Sequence, residues 1–256
     1  MNSTSLMAAE RQQRLLETLR TFGKISAAEA AADLETSTET IRKDLIILEQ
    51  RGLLRRVHGG ALHLESMTFE PDVASRQDNL DEKSRIAAAA TRFLPEGGAV
   101  LIDAGSTARA VADHFPNRSM SVFTNALAIA VALLPLENVA VSTFGGRVRA
   151  ATTAEVGAVT VAAINQMHFD VAIVGTNAIS AEHGLATPDQ EEAAIKAAMI
   201  RNSAKVVLLA DHTKFAQRSL VRYADVSDID VVVTGQELES PHRRSLDEVD
   251  VEVVFA

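Results

Sequence analysis

Apolar and polar positions change their rhythm twice along this chain. Between Arg11 and Phe22 the apolar residues Leu15, Leu16, Leu19 and Phe22 recur at helical spacing, and Gly23 closes the segment as a C-cap. The stretch SAAEAAADL opens with Ser26 and carries Glu29 three positions later. That capping-box pattern predicts a second helix from about Ala27 to about Leu34. A turn through Glu35 and Thr36 leads to STETIRKDLIILEQRG, with Ser37 as the expected N-cap and Gly52 as the stop. On a wheel of ~100° per residue, Ile41, Leu45 and Leu48 share one side, while Glu39, Arg42, Lys43, Ile46 and Gln50 gather opposite. LLRRVHGGALHL then predicts a hairpin turning at Gly59-Gly60, with Arg55, Arg56 and His58 on it.

Helical rhythm disappears from Glu65 to Asn79, where Pro71 marks a linker. A helix with Ile86, Ala89, Ala90 and Phe93 on one face follows, and then the pattern becomes short apolar runs alternating with Ala-rich helical segments. The runs are AVLID, SVFTN, VAVSTF, VAIVG, VVLLA, VVVTG and a last strand, VEVVF. Runs without polar alternation are buried on both faces, which predicts a mainly parallel sheet between helical layers. The expected organisation is a small helical head with a hairpin at residues 1–64, a linker at 65–79 and an α/β body at 80–256.

Charge sharpens the division. The chain of 256 residues carries a net charge of −9, yet from Met1 to Leu64 nine basic side chains face eight acidic ones, so the remainder carries −10. Arg42 to His58 concentrates five basic residues with only Asp44 and Glu49 as acids, a local positive patch. Two short helices joined by a tight turn form a helix-turn-helix suited to the major groove when the second presents Ser37, Thr38, Glu39 and Thr40 at its start and Arg42-Lys43 on its free face. Arg55, Arg56 and His58 then lie on a hairpin placed like the wing of a winged helix. The absence of cysteine excludes disulfides and thiolate chemistry and fits a reducing cytoplasm. No apolar run approaches the ~20 residues of a membrane span, so a soluble cytoplasmic protein with no membrane partner is expected.

Polar residues collect at the C-terminal ends of the apolar runs, where open α/β sheets bind ligands. They are Asp103 with Gly105, Ser106 and Thr107; Thr124-Asn125; Gly145-Gly146; Gly175-Thr176-Asn177; and Asp211 with Lys214. Backbone amides and hydroxyls at a helix start suit a phosphate, Asp103 and Asn125 suit sugar hydroxyls, and Lys214 offers a countercharge.

The stretch TSTETIRKDLIILEQRGLLRRVHGGA resembles the DNA-binding signature of the DeoR family of bacterial transcriptional regulators. Lys43 departs from the second Arg usual there, keeping the charge but losing the bidentate fork. DAGST, TN, FGG, GLATPDQEEAAIKAAM and LADHTKF resemble that family's sensor domain, so the likeness runs from Arg11 to Gly235. The run from Gly175 to Met199 is similar to the branch regulating sugar uptake and phosphotransferase genes in actinobacteria. The resemblance implies a sensor fold like ribose-5-phosphate isomerase and glucosamine-6-phosphate deaminase that binds a phosphorylated sugar, with Asp103, Gly105, Ser106, Thr107, Thr124, Asn125, Gly145, Gly146 and Lys214 in the pocket. Gly175 and Lys196 join the effector-binding candidates, although Glu192 and Lys196, which match its Glu-Ala-x-x-Lys stretch, are equally explained by an i,i+4 ion pair.

Catalysis is expected to be missing. NAISAEHGLATPD lacks the Asp-Gly-His triplet of the deaminases, and no nucleophile triad, metal-binding run or phosphate-binding Walker loop is present. The expectation is a sugar-phosphate-controlled repressor of carbohydrate genes without cofactor or metal, acting as a homodimer or homotetramer on double-stranded operator DNA. Two other readings stay open: an isomerase or deaminase with a DNA-binding head, and a DNA-binding protein whose body only oligomerises.

Overall fold

A computed structural model describes residues 8–51, 53–57, 59–62, 73, 76 and 78–256. The chain divides into two units, Met1–Pro71 and Asp72–Ala256. In the first, α1 (Ala8–Phe22) runs into β1 (Lys24–Ser26), α2 (Ala27–Asp33) and α3 (Thr38–Gln50), followed by β2 (Arg55–Val57) and β3 (Gly60–Leu62). The caps act where the sequence places them. Ser26 accepts a hydrogen bond from Glu29 N and Ser37 from Thr40 N (3.1 Å). Leu15, Leu19, Ile41, Leu45 and Leu48 are buried together with Ala27, Ala30 and Ala31, so the predicted apolar side of α3 is the side that packs. Gly52 and His58 lie outside the described residues.

The wing turn differs by one residue from expectation. Val57 pairs with Gly60, so Gly60 already belongs to β3 and not to the turn. The strands order as β1-β3-β2. Gly60 is required by close approach: a Cβ there would lie 1.9 Å from the Ile25 carbonyl oxygen of β1.

The second unit opens with α4 (Leu80–Ala90), β4 (Ala99–Ile102), α5 (Ser106–Val111), β5 (Met120–Thr124), α6 (Leu127–Leu133) and β6 (Val139–Ser142). A hairpin of β7 (Arg147–Arg149) and β8 (Ala154–Val156) precedes α7 (Ala158–Ile164) and β9 (Val171–Gly175). Then come β10 (Ala178–Ser180), β11 (Gly184–Thr187), α8 (Gln190–Arg201), β12 (Val206–Leu209), β13 (Val221–Ala224), β14 (Val231–Thr234), α9 (Ser240–Asp247) and β15 (Glu252–Phe255). The seven apolar runs form one parallel sheet in the order β15-β14-β12-β9-β4-β5-β6.

Alternate residues of these strands serve different cores. Val100 and Ile102 pack with α4, α5 and α6, whereas Leu101 packs with α7, α8 and α9. Chain order runs outward from β4 through β5 and β6 on one side, and from β9 through β12, β14 and β15 on the other. The order therefore reverses between β4 and β9, which opens a crevice at their C-terminal ends. Two small sheets, β7-β8 and β10-β11-β13, fall outside the predicted elements.

Gly60→Ala is expected to destabilise the first unit by about 2 kcal/mol, the cost of forcing atoms into a packed contact. Urea unfolding followed by far-UV circular dichroism measures it, and a wild-type midpoint would contradict the close approach.

Candidate functional site

The recognition face of the first unit forms by diverting its acids. Asp44, buried in α3, bonds to the guanidinium of Arg11 and accepts from Gln12 Nε2 at 2.9 Å. Glu49 takes Arg56, accepting from its Nε at 2.6 Å and its backbone N at 2.8 Å. Arg42 and Lys43 remain on the exposed side of α3 with Ser37 and Glu39, while Thr38 and Thr40 are half-buried. Arg42 comes within 3.9 Å of Glu39. Arg42 and Arg56 also border a cavity of about 250 Å³ between α3 and the wing. Arg56 thus reaches the expected surface sharing its charge with Glu49. Of Arg55 the structure describes only the backbone, and His58 is outside the described residues.

At the β4–β9 crevice, Asp103 stands at the end of β4 and is 2% exposed. Its Oδ2 accepts from Gly175 N across the crevice (3.0 Å) and from the ammonium of Lys196. Lys196, on α8, also donates to the Gly175 carbonyl (3.0 Å), which accepts the Tyr223 hydroxyl as well (3.1 Å). Burial pulls the Lys196 pKa down, but the Asp103 carboxylate beside it, with Tyr223 and Glu192 adding to the effect, more than compensates and raises it. Burial pushes the Tyr223 hydroxyl up to about 12. Lys196 therefore turns to Asp103, while Glu192 bonds to Arg149 Nη1 (3.1 Å) and to the Thr152 hydroxyl. The simple Glu192–Lys196 helical pair gives way to a link between elements, because the buried carboxylate is the stronger demand.

One strand over, Ile102 pairs with Thr124, so Asn125 follows β5 as Asp103 follows β4. Thr124 is a correction to the expected ligand set. Its hydroxyl donates to Ile102 O (2.6 Å) and accepts from Ala126 N (3.0 Å), so it shapes the turn after β5. Asn125 Nδ2 donates to Glu155 O (3.2 Å), yet Asn125 Oδ1 is buried with no hydrogen-bond partner. Gly105 and Ser106 are half-buried and Thr107 is buried at the start of α5.

The Gly145-Gly146 loop is a second correction. Phe144 N (2.8 Å) and Gly145 N (2.9 Å) donate to Glu155 Oε2, so an internal carboxylate fills the cradle expected for a ligand anion. Gly146 has φ +126°, and a Cβ there would lie 2.3 Å from Thr160 Oγ1. The Thr160 hydroxyl donates to Gly145 O at 2.6 Å. Arg149 of the same hairpin also reaches Asp189 Oδ2 (3.2 Å), the N-cap of α8. Arg147 pairs with Glu191.

Lys214 is the third. It lies after β12, on the far side of β9 from β4, with its ammonium 3.8 Å from Asp211. Against the opposing effect of burial, Lys214 and the Thr213 hydroxyl hold the Asp211 carboxyl below the usual range. Nearby, Glu82 accepts from His212 N (2.8 Å) and its other oxygen lies 2.7 Å from His212 Nδ1. Glu82, Asp211 and His212 bring ligand-type atoms within 4.8 Å of one another. Lys83 and Lys214 already supply the positive charge a cation would bring to Asp211.

Sequence reasoning missed Tyr223, Glu155 and Arg149. Only Tyr223 left a trace, as the single tyrosine of the chain.

A winged helix-turn-helix followed by a parallel α/β unit with a polar crevice at its switch point defines a transcription regulator with a sensing body. Residues 11–67 match the DeoR-like helix-turn-helix domain and residues 78–236 match the DeoR C terminal sensor domain. The chain belongs to the DeoR family of transcriptional regulators. It is 36% identical over 251 residues to the HTH-type transcriptional regulator GlpR of Haloferax volcanii, spanning 97% of this chain and 98% of that protein. To the glycerol-3-phosphate regulon repressor of Escherichia coli K12 it is 32% identical over 226 residues, 88% of this chain and 90% of that one. Among solved structures it is similar to ribose 5-phosphate isomerase A of Methanocaldococcus jannaschii, with 16% identity and a TM-score of 0.41 over 54% of this chain and 55% of that one. Among the described residues no helix is long and apolar enough to cross a membrane.

Lys196→Met is expected to cost about 3 to 5 kcal/mol of stability, because it leaves the Asp103 carboxylate buried without its cation. Adding Asp103→Asn should restore at least half of the loss. Equilibrium urea unfolding of the two variants provides the check.

Proposed function

We propose that this regulator represses genes of carbohydrate uptake or metabolism, and that a phosphorylated sugar bound at the ends of β4, β5 and β9 controls its hold on operator DNA. The observation that carries the reading is the orphaned acceptor Asn125 Oδ1. A buried carbonyl oxygen without a donor is costly, and a sugar hydroxyl is a donor of the right kind. Among the described residues Asp103 Oδ1 takes no hydrogen bond either, since the Lys196 and Gly175 contacts both fall on Oδ2. Gly105, Ser106 and Thr107 offer amides and hydroxyls for the phosphate. Gly175 and Lys196 hold the crevice in shape from beneath.

On the DNA side, Arg42 reads a base edge and Lys43 neutralises a phosphate, while Ser37, Thr38 and Thr40 fix the start of α3 on the duplex. Arg56 and the wing meet the backbone beside it. The body binds and does not turn over its ligand. Lys196 and Tyr223, both with raised pKa, are not poised to exchange protons near neutral pH. No cofactor beyond the effector is required, and a reader of operators works in the cytoplasm.

The test pairs two measurements: mobility shift on the promoter region preceding its own gene, and thermal stability against a panel of sugar phosphates. A ligand present at 100 times its Kd adds about 2.7 kcal/mol of stability. Arg42→Ala is expected to weaken operator binding at least tenfold and leave the ligand-induced shift intact; Asn125→Ala should do the reverse. Indifference of the wild type to every sugar phosphate overturns the effector assignment, and turnover of ribose 5-phosphate overturns the assignment as a pure sensor.

A further inference from the structure

From Ala126 to Leu136 the chain reads ALAIAVALLPL, eleven residues without a polar side chain. This run contains α6. Ile129 and Leu133 turn inward, fully buried against β5 and β6. Leu127, Val131 and Leu134 turn outward at i, i+4 and i+7 spacing, and Val131 and Leu134 are 66% and 68% exposed. Ala128 and Pro135 extend the exposed patch. A helix that is apolar all round belongs in an interior. Here one side of α6 is inside the body and, among the described residues, the other stays exposed.

We propose that this outer face of α6 is the contact through which a second copy of the chain binds, related to the first by a two-fold axis. Charge selects that occupant. The chain beyond Leu64 carries −10, so two copies repel each other over most of their bodies. Over the α6 run there is no charge to oppose the approach. A two-fold contact is self-complementary, and a single apolar helical stripe meets that demand by packing against itself. The recognition helix supplies the need, because one α3 covers one half-site and operators are read by paired heads. A membrane surface fits poorly: α6 has seven residues, and the first charged side chain after the run is Glu137, where an anionic bilayer would require lysine or arginine.

The patch also adjoins the crevice. Leu127 N donates to Thr153 O (3.1 Å), Ala126 bridges Ala154, and Glu155 N donates to Asn125 O (2.7 Å). The β7–β8 hairpin that carries Glu155 is thus bonded to the first turn of the interface helix. The assignment of the interface stands whether or not the ligand is a sugar phosphate.

Sedimentation velocity of the full chain at micromolar concentration is the test. The wild type is expected to be a dimer or a larger even-numbered assembly, and Val131→Asp with Leu134→Asp should reduce it to at most half its copies, with an unchanged circular dichroism spectrum. Val159→Asp, at a 64% exposed position on α7, should leave the mass alone. If the acidic pair fails to fold, the cysteine-free background decides: Val131→Cys should give a covalent dimer with a short bismaleimide, and Val159→Cys should not. A monomeric wild type, a folded acidic pair of undiminished mass, or equal cross-linking at both positions overturns the proposal.

Discussion

The second unit depends on one buried ion pair. Asp103 ends β4, Gly175 ends β9 and Lys196 sits one turn beyond Glu192 on α8, so the carboxylate, the peptide group and the ammonium bind three elements at the point where strand order reverses. Taking both charges out of water is expensive, and apolar side chains of similar volume often stabilise as well or better. What the pair supplies is position. It extends the β4–β9 pairing past the strand ends, and Tyr223 of β13 joins the same carbonyl from the side. The start of α8 faces the same region, since its N-cap Asp189 and its first-turn Glu192 hold Arg149 of the β7–β8 hairpin. One helix therefore braces the floor of the crevice through Lys196 and its rim through Arg149.

In the first unit the same physics acts on a smaller scale. A count of charges over Arg42 to His58 gives five basic groups against two acidic ones, but what a phosphate meets depends on where the acids point. Asp44 faces inward and is matched by Arg11, so it ties α1 to α3 and does not offset the outer face. Glu49 holds Arg56 and with it the first strand of the wing against α3. On the outer side of α3 itself this leaves Arg42 and Lys43, with Arg51 exposed just past its end. An arginine fork suits directional readout, whereas a lysine offers a point charge whose pull on a phosphate falls with salt.

Legibility in the sequence follows from how local each cause is. The caps at Ser26 and Ser37 and the sides of α3 obey rules that span a few residues, and all are found as read. The seven parallel strands were readable because burial on both faces makes each an unbroken apolar run. Strands β7, β8, β10, β11 and β13 are three or four residues long, and the partly exposed ones mix charged with apolar residues, so no run marks them. The site divides in the same way. Asp103, Gly175 and Asn125 were legible because strand ends of a parallel sheet converge. The partner of Lys196 lies 93 residues away in sequence, and the acid that fills the Gly145 loop, Glu155, belongs to a hairpin that no pattern announced. Glycines read as a cradle for a ligand turned out to cradle a side chain. Lys214 ended a genuine strand, but on the wrong side of β9.

A sensor works only if its ligand distinguishes two arrangements, so what matters is which bonds a change at the crevice must carry or break. The β7–β8 hairpin is where such bonds converge. Its Glu155 closes the Gly145 loop and accepts Asn125 through its own carbonyl, and its Arg149 grips α8. In its connecting turn, Ala151 O accepts from Val73 N (2.7 Å), and Thr153 O accepts from Leu127 N at the start of α6. Val73 stands at the beginning of the second unit, and a few residues later Lys83 donates to Asp78 O (2.6 Å) from a position beside Asp211. A displacement of the hairpin by even one hydrogen-bond length cannot leave the segment at Val73, the first turn of α6 and the first turn of α8 all as they were. Within this unit, the geometry that closes over the crevice is the same geometry that holds its first residues and its apolar outer helix.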